Sequence, residues 1–195
     1  NWKVVQEAFS EAFHVVATHP QLLSSIGDAN TQYDWKGNYS RAITPNGTPS
    51  PHIKFTPTEQ EMFDAVADKR LDEESTVILP EGTTARQTFG NGGRATMREI
   101  FGDEADKFSD AEFSDSIYYT LFPNFHPWGA FNRICYRFRP YEDRHDMSIM
   151  ECMYLEPYDE SKPKPPSAPI HWLTAEDDWA DAPELGNLAR VFNQD

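Results

Sequence analysis

The sequence predicts an α+β fold in which an antiparallel sheet wraps around a helix. A helical pattern opens the chain, strand-length apolar runs fill its centre, and a second helical pattern closes it. Elements in this order fit one sheet packed against helices. The chain has 195 residues, of which 38% are hydrophobic, and this is enough for one sizeable folded domain. We therefore expect residues 1–195 to form a single domain.

The first helix is predicted over residues 2–18, where apolar side chains recur near helical spacing. Pro20 disfavours the α conformation at His19, so this helix should end at or just before that histidine. Thr58 and Glu61 match a capping box, which predicts the start of another helix. The further helices are predicted over residues 58–69, 95–107 and 184–195, with GNGGR (90–94) as a flexible turn between them.

Strands are predicted where β-branched and aromatic residues form short runs between turn residues. These runs cover part of 32–44, a short stretch at 76–79, and three longer segments at 116–122, 130–138 and 147–155. In the fourth run Ile134, Tyr136 and Phe138 alternate with charged or small residues, as in an antiparallel strand with one packed face. Pro140 begins the connection to the last run, which predicts a hairpin. The proline-rich segment 161–169 should contain neither helix nor strand.

Charge and composition exclude several classes of protein. The formal net charge is −15, with acids concentrated in 102–115 and 175–184, which disfavours binding to nucleic acids or anionic membranes. No apolar run approaches the ~20 residues that a membrane span requires, and no signal peptide is visible. The two cysteines, Cys135 and Cys152, are predicted to be buried thiols rather than a disulfide. This cysteine usage favours a reducing, cytoplasmic location.

Glu11, His14 and His19 form the first candidate site. Five residues of regular α-helix rotate by about 140°, so the two histidines would not share a face of one helix. A break in the helix before Pro20 would allow the second imidazole to return beside the first. Glu11 lies three residues before His14 and can reach it. The residues alone are compatible with a metal site or with an ordinary salt-bridged surface pair.

The surrounding sequence resembles a known enzyme family. NWKVVQEAFSEAFHVVATHP (1–20) is similar to the segment that opens the catalytic domain of ring-hydroxylating oxygenase alpha subunits, which are Rieske-type non-haem iron enzymes. YYTLFPN (118–124), YRFRP (136–140) and ARVFNQD (189–195) resemble later segments of the same family. The resemblance extends from the first residue to the last. Phe13 replaces a common tyrosine, and Ala8 stands where asparagine is frequent.

This resemblance implies a mononuclear Fe(II) held by His14, His19 and Asp195. Two histidines and one carboxylate on one face of the metal leave positions for O₂ beside a substrate. Asp178 and Asp181 compete with Asp195 as the carboxylate. Glu11 matches the family's acid that links an iron-ligand histidine to a Rieske cluster across a subunit boundary, which implies a role in electron transfer. The family also implies a substrate pocket, for which the candidates are Phe9, Ser116, Tyr118, Trp128 and Val191. Each of these five could instead simply pack the core.

The implied fold is the helix-grip fold that the family shares with START-like (SRPBCC) proteins. The implied activity is O₂-dependent hydroxylation of an aromatic or other apolar ring, as a dioxygenase or a monooxygenase. Electrons would come from NAD(P)H through a reductase or ferredoxin and a Rieske [2Fe–2S] cluster, in a homo-oligomer that is expected to be a trimer of a bacterial enzyme. The sequence contains no CxH and CxxH pair for such a cluster. We therefore expect a catalytic domain whose N-terminal Rieske domain is absent, and which is inactive in turnover by itself.

Two other functions remain compatible with the sequence. The chain could be a non-enzymatic carrier of a hydrophobic ligand on the same START-like fold, with histidines that no longer bind metal. It could also be a zinc hydrolase in which His14 and His19 bind the metal and Glu11 acts as the base. The identity of the bound metal separates these functions from the oxygenase.

Overall fold

A computed structural model describes residues 1–67, 69, 73–129, 131–156, 158 and 160–195. The chain forms two compact units, Asn1–Leu155 and Glu156–Asp195, and each is described by itself.

The first unit is built on a six-stranded antiparallel sheet, so the structure confirms the predicted mixture of helices with an antiparallel sheet. The strands are β1 (Gln32–Lys36), β2 (Tyr39–Thr44), β3 (Ser116–Leu121), β4 (Phe125–Pro127), β5 (Ile134–Tyr141) and β6 (Arg144–Tyr154). Their order across the sheet is their order along the chain. The predicted strand within 32–44 is a hairpin, because Gly37 adopts a φ of 59° in the turn between β1 and β2. The short strand β4 was not predicted.

Strand β5 lies between β4 and β6, and it shows the predicted alternation in part, although Cys135 is buried as well. Tyr136 and Phe138 are fully buried, and Arg137 between them is exposed. The rings of both buried residues contact Phe9, with centroids at 5.0 and 5.3 Å. Of the predicted strand at 130–138, residue 130 lies outside the described residues and 131–133 are not strand, while β5 continues past the predicted end to Tyr141. The predicted hairpin is confirmed, because β5 pairs with β6 through a tight turn with Glu142 at φ 49°.

Six α-helices are described, and short 3₁₀ turns occur between them. The helices are α1 (Trp2–Ala8), α2 (Val15–Thr18), α3 (Glu59–Val66), α4 (Ala85–Phe101), α5 (Asp110–Ser114) and α6 (Leu188–Phe192). The prediction of one helix over residues 2–18 is wrong, because the chain leaves helical geometry after Ala8 and regains it at Val15. Side chains cause the break, since the Ser10 hydroxyl donates to the Gln6 carbonyl and the Glu11 carboxylate accepts the backbone N–H of His14.

The prediction of a turn at GNGGR (90–94) is also wrong, because these residues lie inside α4. The helix begins ten residues before the predicted start at 95, at a capping box formed by Thr84 and Gln87. A Cβ at Gly93 would lie 3.0 Å from the Cβ of Phe113 in α5. Close packing of two helices therefore explains this glycine. Residues 102–107, predicted to continue the helix, form a 3₁₀ segment.

No strand forms at 76–79, where one was predicted. The Gln60 side chain of α3 bonds this segment instead, donating to the Val77 carbonyl at 3.0 Å and accepting the Leu79 N–H at 2.9 Å. The amide of one side chain thus makes the backbone hydrogen bonds that a neighbouring strand would otherwise make. The capping box at Thr58 is confirmed, although α3 ends at Val66, before the predicted end at 69. Residue 68 lies outside the described residues.

The second unit has little regular structure. Residues 161–169 contain neither helix nor strand, as predicted. The helix predicted over 184–195 is shorter in the structure, because Gly186 adopts a φ of 54° and α6 covers only Leu188–Phe192. The Trp179 and Phe192 rings contact each other at 5.1 Å.

Both cysteines are free thiols, as expected. Burial raises the pKa of Cys152 to about 12, so this thiol is protonated and unreactive at neutral pH. Among the described residues no helix is both long and apolar enough to cross a membrane.

The two adjacent glycines in α4 give a matched test of this packing. A Cβ added at Gly92 would meet no described atom within 4 Å, so Gly92→Ala should stabilise the chain by up to about 1 kcal/mol through helix propensity. Gly93→Ala should give no such stabilisation, because its Cβ would crowd Phe113. Urea unfolding midpoints at unchanged m-value measure the difference. Equal stabilisation by both substitutions would contradict the close α4–α5 contact.

Candidate metal centre

The centre begins at the break between α1 and α2, where Glu11 accepts several N–H groups. Its Oε1 lies 2.5 Å from His14 Nδ1, and its Oε2 accepts the backbone N–H groups of Phe13 and His14. An ionised carboxylate can only accept hydrogen bonds, so the His14 proton lies on Nδ1. The lone pair that a metal requires is then on Nε2.

His14 and His19 flank α2, one at each end. Their ring centroids lie 5.2 Å apart with planes at 74°. The helix between them has only four residues, and His19 has already left helical geometry with φ −122° and ψ 53°. The two histidines therefore do not lie on one continuous helix, and their relative direction is not set by helical rotation. The five-residue separation that a regular helix would make unfavourable brings the two imidazoles together here.

Apolar packing and one hydrogen bond hold the chain segment that carries the two histidines. His19 is 3% exposed, and Ala12, Val15 and Leu23 form an apolar cluster with Leu22 and Ile53 beside it. The backbone N–H of Ala12 donates to the Tyr33 hydroxyl at 3.0 Å, which ties the break to β1. The chain segment that carries both histidines is therefore held by apolar packing at Ala12 and Val15 and by one hydrogen bond to β1.

The carboxylate predicted as third ligand, Asp195, belongs to the second unit. It follows α6, is exposed, and its backbone N–H bonds the Phe192 carbonyl at 3.2 Å. Its competitor Asp178 accepts the N–H of Ala180 and the Asn193 amide, each at 2.7 Å, and these bonds hold its pKa below the usual range. Asp178 thus caps a short 3₁₀ turn. Asp195 stays a prediction.

Two of the predicted substrate residues contact each other. The Tyr118 and Trp128 rings lie 5.5 Å apart, and their backbones form an isolated bridge. The Tyr118 hydroxyl is 3.4 Å from Thr44 Oγ1, and burial raises the pKa of Tyr118 to about 12. This phenol is therefore neutral at any ordinary pH.

The other three lie elsewhere. Phe9 packs on β5, Ser116 Oγ accepts the Asn46 side-chain amide at 3.1 Å, and Val191 is part of α6 in the second unit. Their roles in substrate binding stay predictions.

A cavity of about 240 Å³ lies on the face of the sheet that carries Tyr118. Its lining residues are Ser10, Tyr33, Asp34, Trp35, Ser40, Arg41, Ala42, Tyr118 and Thr120. Of the five predicted substrate residues, Tyr118 is the one in this lining. Tyr33 and Trp35 are two residues apart in one strand, as are Ser40 and Ala42 in the next, so the sequence indicates that each pair shares a face of its strand. The sequence does not show how the two strands are aligned with each other.

The family of the chain follows from a direct comparison. The family model of the ring hydroxylating alpha subunit (catalytic domain) matches residues 1–182. The chain belongs to this family. The resemblance seen in the sequence is thereby confirmed, and members are Rieske-type oxygenases that use mononuclear iron together with a Rieske cluster in another domain. The match includes Glu11, His14 and His19 and ends before Asp195. No curated protein and no solved structure matches the chain.

His126 lies behind the cavity and was not predicted to have a role. It is 1% exposed, its Nδ1 lies 3.3 Å from Thr120 Oγ1, and its Nε2 has no hydrogen-bond partner among the described residues. Burial lowers the pKa of His126 to about 4. The imidazole is therefore neutral at pH 7.

This shift predicts a pH-dependent stability. As the pH falls below about 6.5, the unfolded chain takes up a proton at this histidine while the folded chain does not. The free energy of unfolding should therefore fall by up to about 3 kcal/mol between pH 6.5 and 4. In His126→Phe this part of the slope should disappear. Denaturant unfolding of both metal-free proteins across this range measures it, and parallel slopes would contradict the assignment.

Proposed function

We propose that this chain is the iron-binding catalytic domain of an oxygenase that hydroxylates an aromatic or other apolar ring with O₂. His14, His19 and Asp195 are the proposed Fe(II) ligands. The observation that carries the proposal is the pair of imidazoles 5.2 Å apart, one of them oriented by Glu11. Membership of the ring-hydroxylating family supports it.

The donors present suit this metal. Imidazole nitrogens with a carboxylate oxygen are typical of mononuclear Fe(II) sites that bind O₂, whereas thiolates would favour other metals. When bound, Fe(II) would supply the activation of O₂ beside the ring. The bond from His14 Nδ1 to Glu11 fixes the ring orientation and makes Nε2 more basic. His19 is 3% exposed, so little water reaches this imidazole.

The same carboxylate argues against a hydrolase in which Glu11 acts as a base. Both of its oxygens already accept N–H groups, Oε1 from the His14 ring and Oε2 from two backbone amides. A general base needs an oxygen directed at water. These contacts support an orienting role.

The wider assembly is part of the proposal. Electrons would arrive from NAD(P)H through a reductase or ferredoxin and a Rieske [2Fe–2S] cluster held on another domain, and Glu11 would link that cluster to His14. The side chain of Glu11 is 18% exposed, so a partner can approach it. The proposed assembly is a homotrimer in the cytoplasm, with each catalytic domain in a helix-grip fold. The six-stranded antiparallel sheet supports this fold.

Metal loading tests the ligands. After anaerobic incubation with Fe(II) and desalting, the chain should retain about one iron, and His14→Ala or His19→Ala should retain almost none. Asp195→Asn should also bind more weakly. His145→Ala, at an exposed position in β6, is the matched control and should load normally. Retention of iron by His14→Ala, or a preference for zinc with no binding of iron, would contradict the proposal.

Glu11→Gln tests the orienting bond separately. The amide oxygen still accepts from His14, but the negative charge is lost, so Fe(II) affinity should fall by roughly 10- to 100-fold. Glu7→Gln, four residues earlier and within α1, is the control and should leave affinity unchanged. An equal loss in both variants would show that net charge rather than the bond to His14 matters.

A further inference from the structure

The cavity beside Tyr118 has a mostly apolar outline with a pair of hydroxyls in its wall. The pairing register places Tyr33 opposite Ala42, Trp35 opposite Ser40, Ser40 opposite Thr120, and Ala42 opposite Tyr118, so these side chains share one face of the sheet. Ser10 approaches this face from the break between α1 and α2. Its Oγ lies 3.2 Å from Thr120 Oγ1.

The direction of each hydrogen bond in this pair can be assigned. The Ser10 hydroxyl donates to the Gln6 carbonyl at 2.9 Å. Ser10 Oγ must therefore accept from Thr120, which uses the only proton of the Thr120 hydroxyl. Thr120 Oγ1 in turn accepts from Nδ1–H of His126 at 3.3 Å.

The surroundings of the second ring nitrogen of His126 support the tautomer with the proton on Nδ1. His126 Nε2 is buried without a partner among the described residues. A proton there would leave a buried N–H donor unsatisfied, which costs more than an unused lone pair on a nitrogen. The proton therefore belongs on Nδ1. Both hydroxyls in the wall have used their protons, and each oxygen keeps one lone pair.

We propose that this cavity binds a single aromatic ring that carries a hydrogen-bond donor, such as a phenolic hydroxyl or an amine, with the donor directed at Thr120 Oγ1. The inference deepens the proposed function and rests on it only in making this ring the substrate.

Size and charge fit such a ligand. An apolar cavity of about 150 Å³ is enough for benzene, so about 240 Å³ accommodates one ring with a small substituent. The two charged residues of the lining are bonded to each other, with Arg41 Nη2 2.5 Å from Asp34 Oδ2. Both residues alternate along β1 and β2 with the residues that face the cavity, so their side chains lie on the other face of the sheet, and a ligand carboxylate in the cavity would not reach that guanidinium.

Tyr33 also lines the cavity and can donate, because its oxygen accepts from Ala12 while its own proton has no hydrogen-bond acceptor among the described residues. A ligand that only accepts can therefore bind through Tyr33. For this reason the test compares variants at Thr120 and Ser10 rather than affinities of the native chain alone.

The experiment is an NMR titration of the metal-free 195-residue chain with phenol, toluene and anisole. Phenol can donate, anisole only accepts, and toluene does neither. Thr120→Val keeps the shape and removes the acceptor, so it should weaken phenol about fivefold, the effect of one ordinary hydrogen bond. Toluene and anisole should change by less than twofold. Thr96→Val, on the exposed part of α4, is the control and should alter none of the three.

Ser10→Ala should change ligand affinity in the opposite direction, by tightening the binding of one ligand. A general loosening of the structure would not do this. Without Ser10 Oγ the Thr120 proton has no acceptor, so the wall gains a donor and anisole should bind about fivefold more tightly. The inference is overturned if Thr120→Val weakens phenol and toluene equally, or if anisole gains nothing in Ser10→Ala.

These outcomes are independent of the metal. The predicted ligand pattern in a chain that takes up no iron would overturn the proposed function and leave the cavity assignment standing. Normal iron loading together with unchanged phenol affinity in Thr120→Val would overturn the cavity assignment alone.

Discussion

The carboxylate of Glu11 is the group on which the local structure of the first unit's histidine pair depends. It accepts the backbone N–H groups of Phe13 and His14, which lie at the start of α2 and have no partner within that helix. It also accepts the proton of His14 Nδ1. The bonds that interrupt the helix are thus the bonds that orient the ring. The break between α1 and α2 and the arrangement of the two histidines therefore depend on the same hydrogen bonds. A substitution that restored a continuous helix would also separate the two imidazoles.

The elements that the sequence predicts well are those determined by neighbours along the chain. Capping at Thr58 depends on a residue three positions away, and the burial of Tyr136 and Phe138 on either side of an exposed Arg137 reflects the face of β5 that packs on Phe9. The errors occur where distant residues decide. Gly93 lies within a helix and leaves room for Phe113 of the next helix, and residues 76–79 form no strand because Gln60 bonds their backbone. Neither contact is visible in local sequence.

The candidate site shows the same division. The spacing of Glu11 and His14 predicted their contact, because residues three positions apart also come close in the turn that precedes α2. Tyr118 was predicted from its motif and does line the cavity. Ser10 and Thr120 were missed because an isolated serine or threonine carries no signature. Only the strand register and the break after α1 bring their oxygens within 3.2 Å.

The polarity of the cavity wall is determined by groups at both ends of the hydrogen-bond chain. A backbone carbonyl at Gln6 can only accept, and an imidazole whose other nitrogen is buried without a partner must donate from Nδ1. Two hydroxyls between a fixed acceptor and a fixed donor have one arrangement that satisfies every proton. Protonation of His126 near pH 4 would leave Nδ1–H in place, so this arrangement does not change with pH. A residue that does not touch the cavity thus determines which ligand group its wall can bind.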